Sequence, residues 1–323
     1  MAQLPPPPKI APAPVPLCDS QIHRHPGPPR EGVPSLDPHY VFRPEMVAEI
    51  VWSVWPHDDG RPMSVLLVGP KGSGKTSLVE QIAARANQPL ARVNLNVGTS
   101  VRHLKGRTAV ADGETYFVPG VVTDAMETGK WLLLDEISGA TPPVALALFP
   151  VLEPTGSVYL EDAEPPRYAV RHPGFRIFMT DNTIGEGQEE SRFGYAGTNQ
   201  MNAALLDRVD TTIQVGYCDP AAELKILSAK APGIDQVVGQ GLIRVAMAVR
   251  ENRDITDGFS TRMLVAWGRR IAAGRINAAG FVDVDQRNPA RVKEAAEAAF
   301  LRKCRSRVDA DAIRECIQRV FGD

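Results

Sequence analysis

The chain has few cysteines, no long apolar run and almost no net charge, and each shortage excludes something. Four cysteines in 323 residues, Cys18, Cys218, Cys304 and Cys316, lie too far apart for C-x-x-C pairing, and a chain of this length needs no disulfide framework. They read as reduced thiols, which makes a cytoplasmic protein the expectation. No apolar stretch approaches the ~20 residues that span a bilayer, and prolines stand where a signal peptide has its apolar segment. Neither membrane insertion nor export is expected. A formal charge of -2 supplies no overall basic field, so nucleic acid is not indicated as a partner.

What is present suits a large domain followed by a smaller one, since 43% hydrophobic content can bury a sizeable core. Eleven of the 28 prolines fall in residues 1–34, with few large apolar side chains to offset the entropy of ordering them. Residues 1–32 therefore read as a disordered proline-rich tail, in which His23 and His25 are solvated rather than metal-binding. Order is expected from residue 33, followed by a helix over 45–55 with Val47, Ile50, Val51 and Val54 at helical spacing.

The apolar run 64–68 leads into GPKGSGKT and then a helix-like segment over 77–86. Gly69, Pro70, Lys71, Gly72, Ser73, Gly74, Lys75 and Thr76 fit G-x-x-x-x-G-K-[ST] at every fixed position, with Ser77 next in the helix. The glycines let successive N–H groups face one anion, and the helix N-terminus adds to that field. Lys75 is placed for the β- and γ-phosphates of a nucleoside triphosphate and Thr76 for Mg²⁺.

A second landmark is WLLLDE at 131–136, an apolar strand ending in two carboxylates. Asp135 suits Mg²⁺ held through its water shell, and Glu136 suits proton abstraction from the water attacking the γ-phosphate. The strand 175–182 ends in Asn182, which in a parallel sheet would sit between Lys75 and Glu136 and orient that water; a turn-initiating Asn is the alternative. Between these segments, 91–96 alternates Val93 and Leu95 with polar residues as a strand does. Residues 101–120 hold two β-prone pieces around Asp112-Gly113, a hairpin interrupting a helix or an ordinary surface hairpin. A second hairpin is expected over 156–170, after a helix over 142–153.

Residues 199–208 are helical in composition and precede a strand at 211–215. Arg208 either pairs locally with Asp207 or Asp210 or projects toward a neighbouring subunit. From residue 218 only helices are expected, over 221–230, 235–250, 261–274, 289–303 and 309–321. Arg262 falls in a first turn capped by Ser260 or Thr261. The cluster Arg302, Lys303, Arg305 and Arg307 reads as a solvated face.

This ordered set resembles the AAA+ ATPases, and more narrowly their MoxR and chelatase branch, because of the two hairpins. VPSLDPHYVF, QIAARANQPLARVNLN, VLEPTGSVYL, FRIFMTDNTIGEG and GTNQMNAALLDR are similar to the small (CobS-like) AAA+ subunit of aerobic cobaltochelatase, as are FLRKC and IQRVFG near the end. FSTRML resembles the lid motif of activators of nitric oxide reductase and of Rubisco. The resemblance implies an α/β P-loop NTPase core of the AAA+ type over 33–217, with a parallel five-stranded sheet, and a smaller all-α lid over 218–323. It implies Walker A at Gly69, Gly74, Lys75 and Thr76, Walker B at Asp135 and Glu136, sensor 1 at Asn182, an arginine finger at Arg208 and sensor 2 at Arg262. ATP and Mg²⁺ are the implied cofactors, in a hexameric ring with ATP between subunits. The implied work is remodelling a partner, either a von Willebrand A-type protein or a metal chelatase, with a nucleic-acid motor as a third possibility. Lys71, Ser73, Asp181 and the tail depart from the cobaltochelatase pattern and bear on cobalt insertion rather than on hydrolysis.

Overall fold

The computed structural model describes residues 24–54, 63–153, 156–182 and 203–322, the last with breaks at 253, 257, 274, 277–281 and 284. The chain runs through α1 (Pro44–Val54), β1 (Val65–Val68), α2 (Lys75–Ala86), β2 (Leu90–Asn94) and α3 (Val101–Lys105). A hairpin of β3 (Gly106–Ala111) and β4 (Glu114–Pro119) leads to α4 (Val121–Thr128), β5 (Trp131–Asp135) and α5 (Pro142–Leu152). A second hairpin, β6 (Ser157–Leu160) and β7 (Arg167–Val170), precedes β8 (Arg176–Asp181), α6 (Ala203–Leu206) and β9 (Thr211–Gln214). The helices α7 (Pro220–Lys230), α8 (Gln236–Glu251), α9 (Thr261–Ala272), α10 (Pro289–Ala299) and α11 (Arg307–Phe321) complete it. Of the expected helix over 199–208, residues 199–202 lie outside the described residues.

Five strands form one parallel sheet in the order β2-β5-β8-β1-β9. VLLV in β1 and WLLLD in β5 are buried throughout, as strands covered on both faces must be. The period of two splits their side chains between two layers. Leu66, Leu132, Leu134 and Met179 pack with Val122, Met126 and Leu148 of α4 and α5, whereas Leu67, Leu133 and Phe178 pack with Ile50, Leu78 and Ile82 of α1 and α2. Because β8 lies between β1 and β5, the carboxyl ends of these three strands are adjacent, the place where open α/β sheets bind ligands.

The helices α7–α11 bury a separate apolar cluster around Trp267, Phe259 and Phe300. Trp267 donates its indole N–H to the Val292 carbonyl at 3.0 Å. The helix expected over 289–303 ends at Ala299, because Phe300 leaves helical geometry (φ -150°, ψ -32°). Its ring stacks edge-on to Phe259 at 5.0 Å, and only a 3-10 turn, Leu301–Lys303, comes after it. The all-helical expectation also misses a two-residue antiparallel pair, β10 (Arg275–Ile276) and β11 (Val282–Asp283). Two β-branched residues, Ile276 and Val282, stand opposite each other there.

Part of the segment expected to be a tail falls within the described residues. Residues 1–23, including Cys18 and His23, lie outside the described residues, but 25–32 are tied to the end of α2. Asn87 caps that helix in the left-handed region (φ 52°, ψ 41°). Its amide donates to the carbonyls of His25 (3.2 Å) and Pro28 (3.0 Å) and accepts the Arg30 N–H at 3.0 Å. Counting apolar side chains overlooks such anchoring, which a helix C-terminus provides through polar groups.

Candidate functional site

The loop between β1 and α2 requires its glycines by contact. A Cβ on Gly69 would lie 2.1 Å from the Val215 carbonyl oxygen, and one on Gly72 (φ 72°) would lie 2.6 Å from the Ser260 Cβ. Ser260 is also the N-cap of α9, accepting the Met263 N–H at 3.2 Å, so the start of that helix rests on the loop. Tyr217 adds a second link by donating its hydroxyl to the Lys71 carbonyl at 3.1 Å.

Lys75 opens α2 and is buried. Its ammonium donates to the carbonyls of Gly69 (2.7 Å) and Pro70 (3.1 Å) and to Asn182 Oδ1 (2.9 Å). Burial pulls its pKa down to about 8, with Asp181, Asp135 and Glu136 partly opposing the fall. Ser73 Oγ is buried and has no partner among the described residues, an orphan that a bound phosphate would satisfy. The glycine contacts, this orphan hydroxyl and the buried ammonium fit a triphosphate.

Asp135, at the tip of β5, accepts the Thr76 hydroxyl at 2.9 Å and that of Thr180 on the same oxygen, Oδ1. Arg92 donates to its other oxygen, Oδ2, and to Glu80 Oε1 at 3.0 Å. Burial pushes the Asp135 carboxyl up, but donation from Thr180, Thr76 and Arg92 outweighs it and holds the group below the usual carboxylate range. Glu136 is exposed, with left-handed backbone (φ 59°), and its N–H donates to Thr180 Oγ1 at 3.1 Å. Asp181 is fully buried and accepts the Ser138 hydroxyl, tying the β8 tip to the turn after β5. The donor set at Thr76 and Asp135, hard oxygens beside a phosphate cradle, suits Mg²⁺.

The structure thus brings together Lys75, Thr76, Asp135, Glu136 and Asn182, and gives Arg208 partners outside that cluster. Arg208 pairs with neither Asp207 nor Asp210. It donates to Glu153 Oε1 (2.8 Å) and the Ala204 carbonyl (2.7 Å), with its guanidinium 4.4 Å from the Phe149 ring centroid. Asp210 instead accepts the backbone N–H of Ser64 at 2.7 Å. Arg262 is exposed on the first turn of α9, two residues beyond Ser260. Arg92 and Ser138 carry no signal in the sequence that marks them as site residues. Thr180 carried one usable signal, its place beside Asp181 and Asn182 at a strand tip.

A parallel sheet with a glycine loop after β1 and an acid at the tip of β5 defines a P-loop nucleoside triphosphatase. Residues 64–209 match the AAA domain (dynein-related subfamily), and residues 223–284 match the CbbQ/NirQ/NorQ C-terminal region. The aerobic cobaltochelatase subunit CobS of Sinorhizobium sp is 32% identical over 90% of this chain and 83% of its own. The putative chaperone BssE of Thauera aromatica is 29% identical over 75% of this chain and 80% of its own. Protein NorQ of Paracoccus denitrificans is 29% identical over 63% and 71%. The chain belongs to the AAA+ ATPases, in the MoxR and chelatase branch that holds CobS- and NorQ-like proteins. Among the described residues no helix is long and apolar enough to cross a membrane.

Proposed function

We propose that this protein hydrolyses ATP and uses the cycle to remodel or activate a partner protein, with residues 33–217 as the ATPase core and 218–323 as its lid. The observation that carries the reading is the convergence of three chain segments: Thr76 on Asp135 at 2.9 Å and Lys75 on Asn182 at 2.9 Å. Residues 69–77 cradle the phosphates, and Lys75 exchanges its carbonyl partners for phosphate oxygens. Mg²⁺, held by Thr76 and Asp135, would supply charge neutralisation at the phosphates. Glu136 takes the proton of the attacking water, which Asn182 orients. Arg208 serves the site of a neighbouring subunit and Arg262 reports on it from the lid, within a hexameric ring in the cytoplasm. A von Willebrand A-type protein is the partner of this reading.

The test separates binding from chemistry. Lys75→Ala should weaken ATP binding by roughly 10- to 100-fold, the loss of a charge-assisted bond, in a protein whose circular dichroism is unchanged. Glu136→Gln should bind ATP normally and fail to turn it over. Wild-type binding in the first or wild-type turnover in the second overturns the assignment. The likeness to CobS over 90% of this chain favours a second reading, the ATPase subunit of a metal chelatase. Metal insertion into a tetrapyrrole by this chain together with its genomic neighbours decides between the two.

A further inference from the structure

We infer that Arg92 is a resident cation for Asp135, occupying that carboxylate when no metal and nucleotide are bound and withdrawing onto Glu80 when they are. The inference rests on the proposed nucleotide site. Arg92 lies on β2, whose register places it opposite Leu133 on β5, so it approaches Asp135 from the neighbouring strand. The two threonine hydroxyls on Oδ1 give hydrogen bonds but no charge, and Oδ2 is taken by the guanidinium. A carboxylate this buried is costly without a cation. The Asp135 side chain is 8% exposed and that of Arg92 46%, so the guanidinium enters from the solvent side, where it is free to leave again.

Glu80 supplies the place to go. It sits on α2 four residues after Thr76, on the same helical face, and already holds the other end of the guanidinium at 3.0 Å. Arg92 is therefore shared between an inner carboxylate and an outer one. Asp135 would hold a hydrated divalent ion through that ion's water, and a guanidinium on the same carboxylate would repel the ion. Release of Arg92 toward Glu80 removes the conflict without leaving the guanidinium unpaired. The sign of the effect distinguishes this from a static brace: an arginine that merely positions Asp135 would help the metal, and a resident cation opposes it.

Mn²⁺, read by electron paramagnetic resonance on the ADP-saturated full chain, tests the sign. Arg92→Gln should tighten Mn²⁺ binding roughly fivefold, the equivalent of one half-exposed ion pair. Glu80→Gln, which keeps an outer acceptor but takes away the charge that draws Arg92 outward, should weaken it. Without nucleotide, Arg92→Gln should melt below wild type, and saturating Mg²⁺ with ADP should close the gap. Equal or weaker Mn²⁺ binding by Arg92→Gln overturns the inference while leaving the nucleotide site standing, as does tighter binding by Glu80→Gln. A wild-type protein that binds ADP no better than Lys75→Ala removes the nucleotide site and the inference together.

Discussion

Lys75 shows how one residue sets both the chemistry and its cost. An ammonium buried with carbonyls for partners has its pKa lowered to about 8, whereas the unfolded chain keeps the ordinary value near 10.4. Between these values the unfolded state binds more protons than the folded state. Stability of the unliganded protein therefore rises with pH across about 8 to 10.4, as a penalty present at lower pH is relieved. Denaturant unfolding at pH 7.5 and 9.5 should show this gain in wild type and a smaller one in Lys75→Met; equal gains would place Lys75 in an ordinary solvated environment. Asp135 works in the opposite sense, since its donors favour the charged form and hold its pKa down.

At the scale of elements, two linkages stand out. In the helical part, Arg250 donates both terminal nitrogens to Glu223, at 2.7 and 2.9 Å, and lies 3.8 Å from the Tyr217 ring centroid. Thr261 donates to the same carboxylate at 2.6 Å, so one buried acid joins α7, α8 and the start of α9. Removing one partner strands a buried charge, and Arg250→Ala should cost about 3–5 kcal/mol of stability by thermal or denaturant unfolding. A loss under 1 kcal/mol would mean that the pair is solvated.

The hairpins form the other linkage. Thr108 donates to the Asp162 carbonyl at 3.0 Å, which joins β3 to the β6–β7 turn. Val110 and Tyr116 on one hairpin and Tyr159, Tyr168 and Val170 on the other are exposed. None of them touches the Lys75 cluster. Replacing 109–116 with a short Gly/Ser linker keeps Thr108 and also Phe117, which packs on the core. Closing such a loop costs little. Basal ATPase should survive and stimulation by the cognate partner should vanish; a partner still driven at the wild-type rate would make the hairpin an ornament.

For the whole molecule, the position of Arg208 matters most. It stacks on Phe149 and pairs with Glu153 within its own chain, away from the Lys75 cluster, so the proposed part in hydrolysis requires it to act across a subunit boundary. Arg208→Ala should keep nucleotide binding and lower turnover by as much as ~10³-fold, the order of arginine fingers. Mixed with Lys75→Ala it should recover part of the activity, because some boundaries then join an intact loop to an intact arginine. No recovery in mixtures shown by native mass spectrometry to co-assemble would rule out the trans role.

The sequence by itself determined the features that arise from spacing and periodicity. The glycine loop, the acidic end of β5, both hairpins and the cap of α9 are local patterns, each complete within a short stretch of chain. Tertiary structure decided which distant groups share a charge. Arg92 alternates with buried Val93 in a manner that reads as solvent-facing, and only the pairing of β2 with β5 brings it to Asp135. Arg208 has two acids beside it in sequence yet pairs with Glu153, because α5 and α6 pack together and Phe149 supplies an aromatic face. Phe300 ends its helix because the cluster with Trp267 and Phe259 gains more from its ring than the helix gains from another turn. Side-chain charges and rings act through space, and the order of residues along a chain does not encode which of them the fold will make neighbours.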